Sequence, residues 1–241
     1  MSVSEESHIP ENQLLAALPP AEFQRLTPHL RTVSLSLGDV LYRPDEEISW
    51  VYFPTEAVIS LVSILESGAT TEVGLVGNEG MLGLPVVWGG DRTKITTAVV
   101  QVGGRAMQMS ATQLKTLCAG GSTLQRLLLL YTQALFGQVS QSAACNRHHT
   151  IEQRLARWLL WVHDRVNSDE LQVTQEFIAT MLGTRRSGVT VAAGMLQERG
   201  LIRYTRGKIT IVNRERLEST ACECYKLTQD EFERLLQIKF N

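Results

Sequence analysis

The sequence predicts an α+β protein built as a small β-roll, one long helix and a winged helix-turn-helix. Three observations carry that reading. Residues 30–110 hold short alternating segments separated by glycine-rich turns, the pattern of a jelly roll or small barrel. From Ser122 the stretch "STLQRLLLLYTQALFGQVSQSAACNRHH" runs without proline, with apolar residues at three- and four-residue steps. Further on, "TQEFIATMLGTRRSGVTVAAGMLQERGLI" divides at a glycine into two helical patterns. The expected segments are 1–120 for the β-roll, 121–150 for the long helix and 151–241 for the winged domain.

In chain order, "NQLLAALPPAEFQRL" predicts a short helical opening. "RTVSLSL" alternates, with Val33, Leu35 and Leu37 on one face before the break at Gly38-Asp39. "VISLVSI", "TEVGLV", "AVVQV" and "RAMQM" supply the further strands. Ser122 is placed to cap the long helix by accepting from a first-turn amide. At roughly 1.5 Å per residue that helix is about 40 Å long. Leu124, Leu128, Tyr131, Leu135 and Val139 form its apolar seam. Two surfaces compete for such a seam, the chain's own barrel and the same helix of a second copy. The frequency of two-fold symmetry favours a parallel homodimer. Thr150 and Gln153 make a capping box for the next helix, whose apolar face is Ile151, Leu155, Trp158, Leu159 and Val162.

In the winged region, Thr174 caps a helix that buries Phe177, Ile178, Met181 and Leu182, and Gly183 ends it with a turn that needs positive φ. A second helix is expected from Thr184 to Gly200. At about 100° per residue, Val189, Ala192, Ala193 and Leu196 share its inner face, opposite Ser187, Val191, Gly194 and Glu198. Thr190 sits on the flank, and Arg185 and Arg186 lie in the first turn, where a groove-reading helix meets base edges and phosphates. Arginine can bond guanine O6 and N7 in a bidentate manner, worth roughly 1–3 kcal/mol of discrimination. "LIRYTRGKITIV" then reads as a hairpin whose Arg203, Arg206 and Lys208 suit phosphate contact.

Charge follows the same division. The formal net charge is only −2, but residues 1–117 hold 7 Lys/Arg against 13 Asp/Glu, whereas residues 174–216 hold 8 against 3. A basic working surface is joined to an acidic body. The opening "MSVSEESHIPENQ" is polar and acidic, unlike a signal peptide, and no apolar run is long enough to span a bilayer, so no membrane partner is expected. Cys118, Cys145, Cys222 and Cys224 do not form a disulfide framework, which points to a reducing, cytoplasmic setting.

The order of β-roll, long helix and winged helix-turn-helix, with "TQEFIATMLGTRRSGVTVAAGMLQERGLIRYTRGKITI", resembles the Crp/Fnr family of bacterial transcription regulators. The likeness is specific over residues 147–213 and mostly architectural before residue 120. It implies a cyclic-nucleotide-binding-like β-roll and a long dimerisation helix. As partners it implies double-stranded DNA, a second copy of the chain, RNA polymerase and a small-molecule effector of unknown identity. It also implies that Arg185 holds phosphate while Arg186, Ser187 and Val191 occupy base-reading positions. Members that read the best-known operator carry Glu and Arg where this chain has Ser187 and Val191, so a different target is expected.

The effector half departs from the pattern. Cyclic-nucleotide binders use a Gly-Glu step for the ribose and an Arg-Ser pair for the phosphate. Here Gly83 is followed by Leu84, Lys94 and Ile95 stand at the Arg-Ser spacing, and Arg92 comes two residues early. Leucine cannot accept from a ribose hydroxyl, and leaving that group unpaired costs roughly 1–3 kcal/mol. Cyclic AMP is therefore not expected to bind in the usual way, and Leu84, Arg92 and Lys94 are left as candidates around an effector pocket. Cluster-bearing relatives hold iron and sulfur with cysteines near the N-terminus, but the first here is Cys118, and His29 and His148 give haem little support.

Cys145, His148 and His149 fall on one helical side, but no fourth ligand is evident, and Cys222-Glu-Cys224 is too tight for a C-x-x-C redox pair. No metal or other cofactor is expected. Residues 30–110 contain no histidine, and neither a nucleophile–base pair nor a phosphate loop is found, which argues against an enzyme. The alternatives are a ligand-binding regulatory β-roll without DNA output, which the arginines and wing oppose, and a metal-dependent β-roll enzyme.

Overall fold

The computed structural model describes residues 11–166, 168–238 and 240. Most of the acidic opening segment lies outside the described residues. The chain begins with α1 (Gln13–Ala16) and α2 (Pro20–Leu26), separated where Pro19 and Pro20 interrupt one helical pattern. The strands that follow form two antiparallel sheets. One runs β1 (Arg31–Leu35), β7 (Gly104–Ser110), β3 (Trp50–Pro54); the other runs β2 (Val40–Tyr42), β6 (Thr96–Val102), β4 (Val58–Ile64), β5 (Thr70–Val76). Leu37 does not share the inner face of β1. That strand stops at Leu35, and Leu37 is 60% exposed beside the left-handed Gly38.

A short helix, α3 (Ala111–Cys118), leads to α4 (Thr123–His148). The Ser122 hydroxyl accepts from the Gln125 amide at 3.1 Å. The Glu22 carboxylate accepts from the Thr123 and Leu124 amides, each at 3.2 Å, and its bonds to Thr123 are the main reason its pKa lies below the usual value. Two independent partners thus satisfy orphan donors at one helix start. The helix ends at His149, and Thr150 and Gln153 form a complete capping box for α5 (Ile151–His163).

The stripe expected to meet a second chain is turned inward. Leu124, Leu128, Tyr131 and Leu135 are buried in the β-roll's own core with Phe53, Val76 and Met81, and Val139 is partly covered. Burying each such side chain is worth roughly 1.5–3 kcal/mol, and the roll supplies that surface without a partner. The outer face of α4 instead presents Leu129 and Phe136, the latter 71% exposed.

Beyond α5 come β8 (Glu170–Gln172), α6 (Gln175–Met181), α7 (Arg186–Glu198), β9 (Ile202–Thr205), β10 (Lys208–Ile211), α8 (Arg214–Glu218) and α9 (Cys224–Leu236). The last helix packs back along α4, so Phe232, Leu236 and Ile238 join the β-roll core. A second core joins Trp158, Leu159, Ile178, Val189 and Leu196 to Val58, Val62 and Leu75 of the roll. Polar contacts cross the same junction: Trp158 Nε1 donates to Glu72 at 3.2 Å, and Arg165 pairs with Glu79 at 3.0 Å with both side chains sealed from solvent. Among the described residues, no helix is long and apolar enough to cross a membrane.

Candidate nucleic-acid interface

The candidate surface is built by two helices and a hairpin. Thr174 caps α6, its hydroxyl accepting from the Phe177 amide at 3.1 Å. At the far end Gly183 takes φ 57°, its amide donating to Thr180 and that of Thr184 to Ala179. These two bonds are a Schellman closure, which needs a left-handed residue at this position. A side chain there would also collide with Thr71 of β5, since an added Cβ falls 2.5 Å from the Thr71 hydroxyl. The turn glycine therefore serves both backbone conformation and close approach to the β-roll.

The second helix starts at Arg186 rather than Thr184, because the Schellman turn takes up Thr184 and Arg185 becomes the N-cap residue. Arg185 supplies no side-chain cap. The positive end of the helix dipole thus stays open to an anion. Val189, Ala192, Ala193 and Leu196 are buried, as their spacing predicts. Arg185, Arg186, Ser187, Thr190 and Val191 are exposed or half-exposed. One face is anchored and the other is open to a groove. The helix closes at Gly200, φ 69°, with Gly200 donating to Gln197 and Leu201 to Leu196.

Three further residues shape this surface. The Thr190 hydroxyl donates to Gln175 Oε1 at 2.7 Å, bracing α7 against the start of α6. Gly188 lets α7 approach the start of α5, since a Cβ there would fall 2.6 Å from Ile151 Cδ1. Met195 lies one turn beyond Val191 and is also exposed. Gly188 and Met195 are readable as a small and an apolar residue in the helical pattern, but their neighbour Ile151 comes from a different helix.

The hairpin β9–β10 turns through Arg206 and Gly207 at φ 37° and 84°, the pair of positive angles that a tight two-residue hairpin requires. β8 pairs with β10 to complete a three-stranded wing. Arg203 and Arg206 are exposed. Lys208 forms an ion pair with Glu170 beside the β8–β10 register. Such half-exposed pairs contribute roughly 0–1 kcal/mol.

The β-roll holds a cavity of about 530 Å³ against α4, lined by Tyr42, Leu61, Leu84, Trp88, Leu135 and Phe136 among others. Burial pushes the Tyr42 phenol up to about 12. Of the three candidates, Leu84 lines this space but the two cations do not. Arg92 and Lys94 are exposed on an outer loop, where Lys94 lies 4.0 Å from the Asp45 carboxylate and Arg92 reaches the Asp45 carbonyl. The loop bends their long side chains into water, and the cavity wall is left largely apolar.

Residues 153–220 match the family model described as the Crp-like helix-turn-helix domain. Comparison with curated proteins gave no match. Among solved structures, the chain is similar to TTHB099, a CRP-family transcriptional regulator from Thermus thermophilus, at 18% identity and TM-score 0.65, covering 78% of this chain and 96% of that one. It is similar to FixK2 from Bradyrhizobium japonicum at 16% identity and TM-score 0.64, covering 80% and 98%. It also resembles CLP, a c-di-GMP-responsive global regulator of Xanthomonas campestris, at 14% identity and TM-score 0.62, covering 80% and 99%. The chain has the fold of Crp/Fnr transcription regulators and carries a Crp-like helix-turn-helix domain at residues 153–220.

Proposed function

We propose that the protein is a homodimeric transcription regulator that binds double-stranded DNA through α7 and the wing. The observation that carries this reading is α7 itself. Its Val189–Leu196 face is buried while Arg185, Arg186, Ser187, Thr190 and Val191 remain open at its N-terminal half. Arg185 and the wing residues Arg203, Arg206 and Lys208 hold phosphates, and Arg186, Ser187 and Val191 read bases. Thr174 and Thr190 lie beside them, and a phosphate contact from Thr190 requires its hydroxyl to exchange Gln175 for the DNA backbone.

The second copy meets the outer face of α4. Leu129 and Phe136 are seven residues apart, hence on one helical stripe, and exposed apolar side chains of that size mark an interaction surface. The dimer places two recognition helices about one duplex turn, roughly 34 Å, apart. The β-roll is the sensing part, and α4 joins it to the winged part. An effector acts only through unequal affinity for the two arrangements of the winged domains. The apolar cavity touching Leu135 and Phe136 of α4 favours an apolar effector over a cyclic nucleotide. RNA polymerase follows as a partner only if the regulator activates.

Gel-shift titration of the full chain against salt tests the reading. Binding weakens steeply as salt rises, because each phosphate contact releases a counterion. A flat salt response rejects it.

A further inference from the structure

One cluster of side chains lies outside the DNA interface and has no part in it. Cys145 and His149, four residues apart near the end of α4, meet Cys222 and Cys224 at the start of α9. The Cys145 and Cys222 sulfurs are 3.5 Å apart, the Cys224 sulfur is 3.5 Å from His149 Nδ1, and all four candidate ligand atoms lie within 4.8 Å of one another. A tetrahedral zinc site with Zn–S near 2.3 Å and Zn–N near 2.0–2.1 Å has ligand–ligand edges of roughly 3.5–3.8 Å. We propose that Cys145, His149, Cys222 and Cys224 form a Cys₃His site for Zn²⁺ that ties the end of the long helix to the C-terminal helix.

The surroundings are those of a ligand set. The three cysteines are buried. His149 Nε2 lies 3.1 Å from the Glu223 carboxylate, which fixes the proton on Nε2 and leaves Nδ1 as the ligand atom, the carboxylate–histidine arrangement of metal sites. Gln141 Nε2 donates to the Cys224 sulfur at 3.0 Å. Three thiolates and a neutral histidine around a divalent cation leave one net negative charge. Arg154 and Arg157, both buried, face that charge: each interacts electrostatically with Cys145, and the Nε of each has no hydrogen-bond partner among the described residues.

Loading the site balances simply. One Zn²⁺ enters, the remaining thiol protons are released to solvent, and nothing is oxidised. The His148 side chain is outside the converging set and takes no part. A disulfide between Cys145 and Cys222 is the competing use of the same sulfurs, but it requires neither Cys224 nor His149 to converge.

The full chain, reduced and stripped of metal, is titrated with Co²⁺ as the probe. One equivalent is taken up, giving sulfur-to-cobalt charge-transfer bands and the intense visible bands of tetrahedral cobalt, and Zn²⁺ bleaches both. Cys222→Ser and Cys224→Ser abolish the signal, Glu223→Gln weakens binding on the order of 10-fold, and His148→Ala leaves it unchanged. The wild-type titration decides the matter even if a cysteine variant misfolds. A pale octahedral spectrum, no stoichiometric uptake, or a Cys145–Cys222 disulfide in protein that takes up no metal once reduced overturns the proposal.

Discussion

Replacing Glu72 by glutamine makes the junction between the β-roll and the winged half visible as a pH dependence. Glu72 lies on β5, buried, where its carboxylate accepts from the Ser60 hydroxyl at 2.6 Å and from Trp158 Nε1 at 3.2 Å. Burial raises its pKa, the two hydrogen bonds and the Arg157 charge pull it partly back, and the balance stands at about 7 against the ordinary 4.5. The folded state therefore holds this proton more tightly than the unfolded chain. The group costs nothing below about pH 4.5, an increasing amount between 4.5 and 7, and a constant amount above. That full cost is about 3 kcal/mol at 1.36 kcal/mol per pKa unit. Glutamine keeps both contacts, since its carbonyl accepts from Trp158 and its amide donates to Ser60, whose single proton then turns to Gln101 Oε1, 2.5 Å away. Urea unfolding of both proteins from pH 5 to pH 8 should show nearly equal stability at the acid end. Glu72→Gln should gain by up to about 3 kcal/mol at the alkaline end. Parallel profiles, or a variant weaker at pH 8, refute the reasoning.

Three other outcomes follow from the same contacts. Gly183→Ala places a side chain at φ 57° and against Thr71, so thermal unfolding should show a loss of more than about 1 kcal/mol. Arg165→Met leaves the Glu79 carboxylate buried and unpaired, costing roughly 3–5 kcal/mol by urea unfolding, whereas the double change to Met at both positions recovers most of it. Phe136→Asp alters a side chain that is 71% exposed; analytical ultracentrifugation should show a folded monomer, and an unchanged dimer removes the outer face of α4 from the interface.

The winged region is legible in the sequence because its signals are local. Thr174, Gly183 and Gly200 punctuate the helices within a few residues of where they act, and the inner face of α7 repeats at helical spacing. What the spacing along α4 does not contain is the identity of the facing surface. Leu124, Leu128, Tyr131 and Leu135 read equally as a seam between chains and as a floor under a β-roll, and the roll comes from residues far off in sequence. Strand β3, "WVYFP", gives no alternating signal because it is buried on both faces. Arg92 and Lys94 stand near the expected spacing, but a loop conformation, not spacing, decides whether a long side chain faces a cavity. The cysteine cluster is hidden most deeply. Cys145 and Cys222 are 77 residues apart, and the ligands missing beside His149 come from the other end of the chain.

Selection from a random pool of duplexes by the wild type, Arg186→Ala and Arg206→Ala tests the central claim most directly. The wild type should enrich a two-fold-symmetric sequence with half-sites one helical turn apart. Arg186→Ala should lose preference at one position of each half-site, while Arg206→Ala keeps the sequence and binds every duplex more weakly. Enrichment of no sequence by the wild type, or the same logo from Arg186→Ala at uniformly lower affinity, contradicts the assignment of base reading to α7.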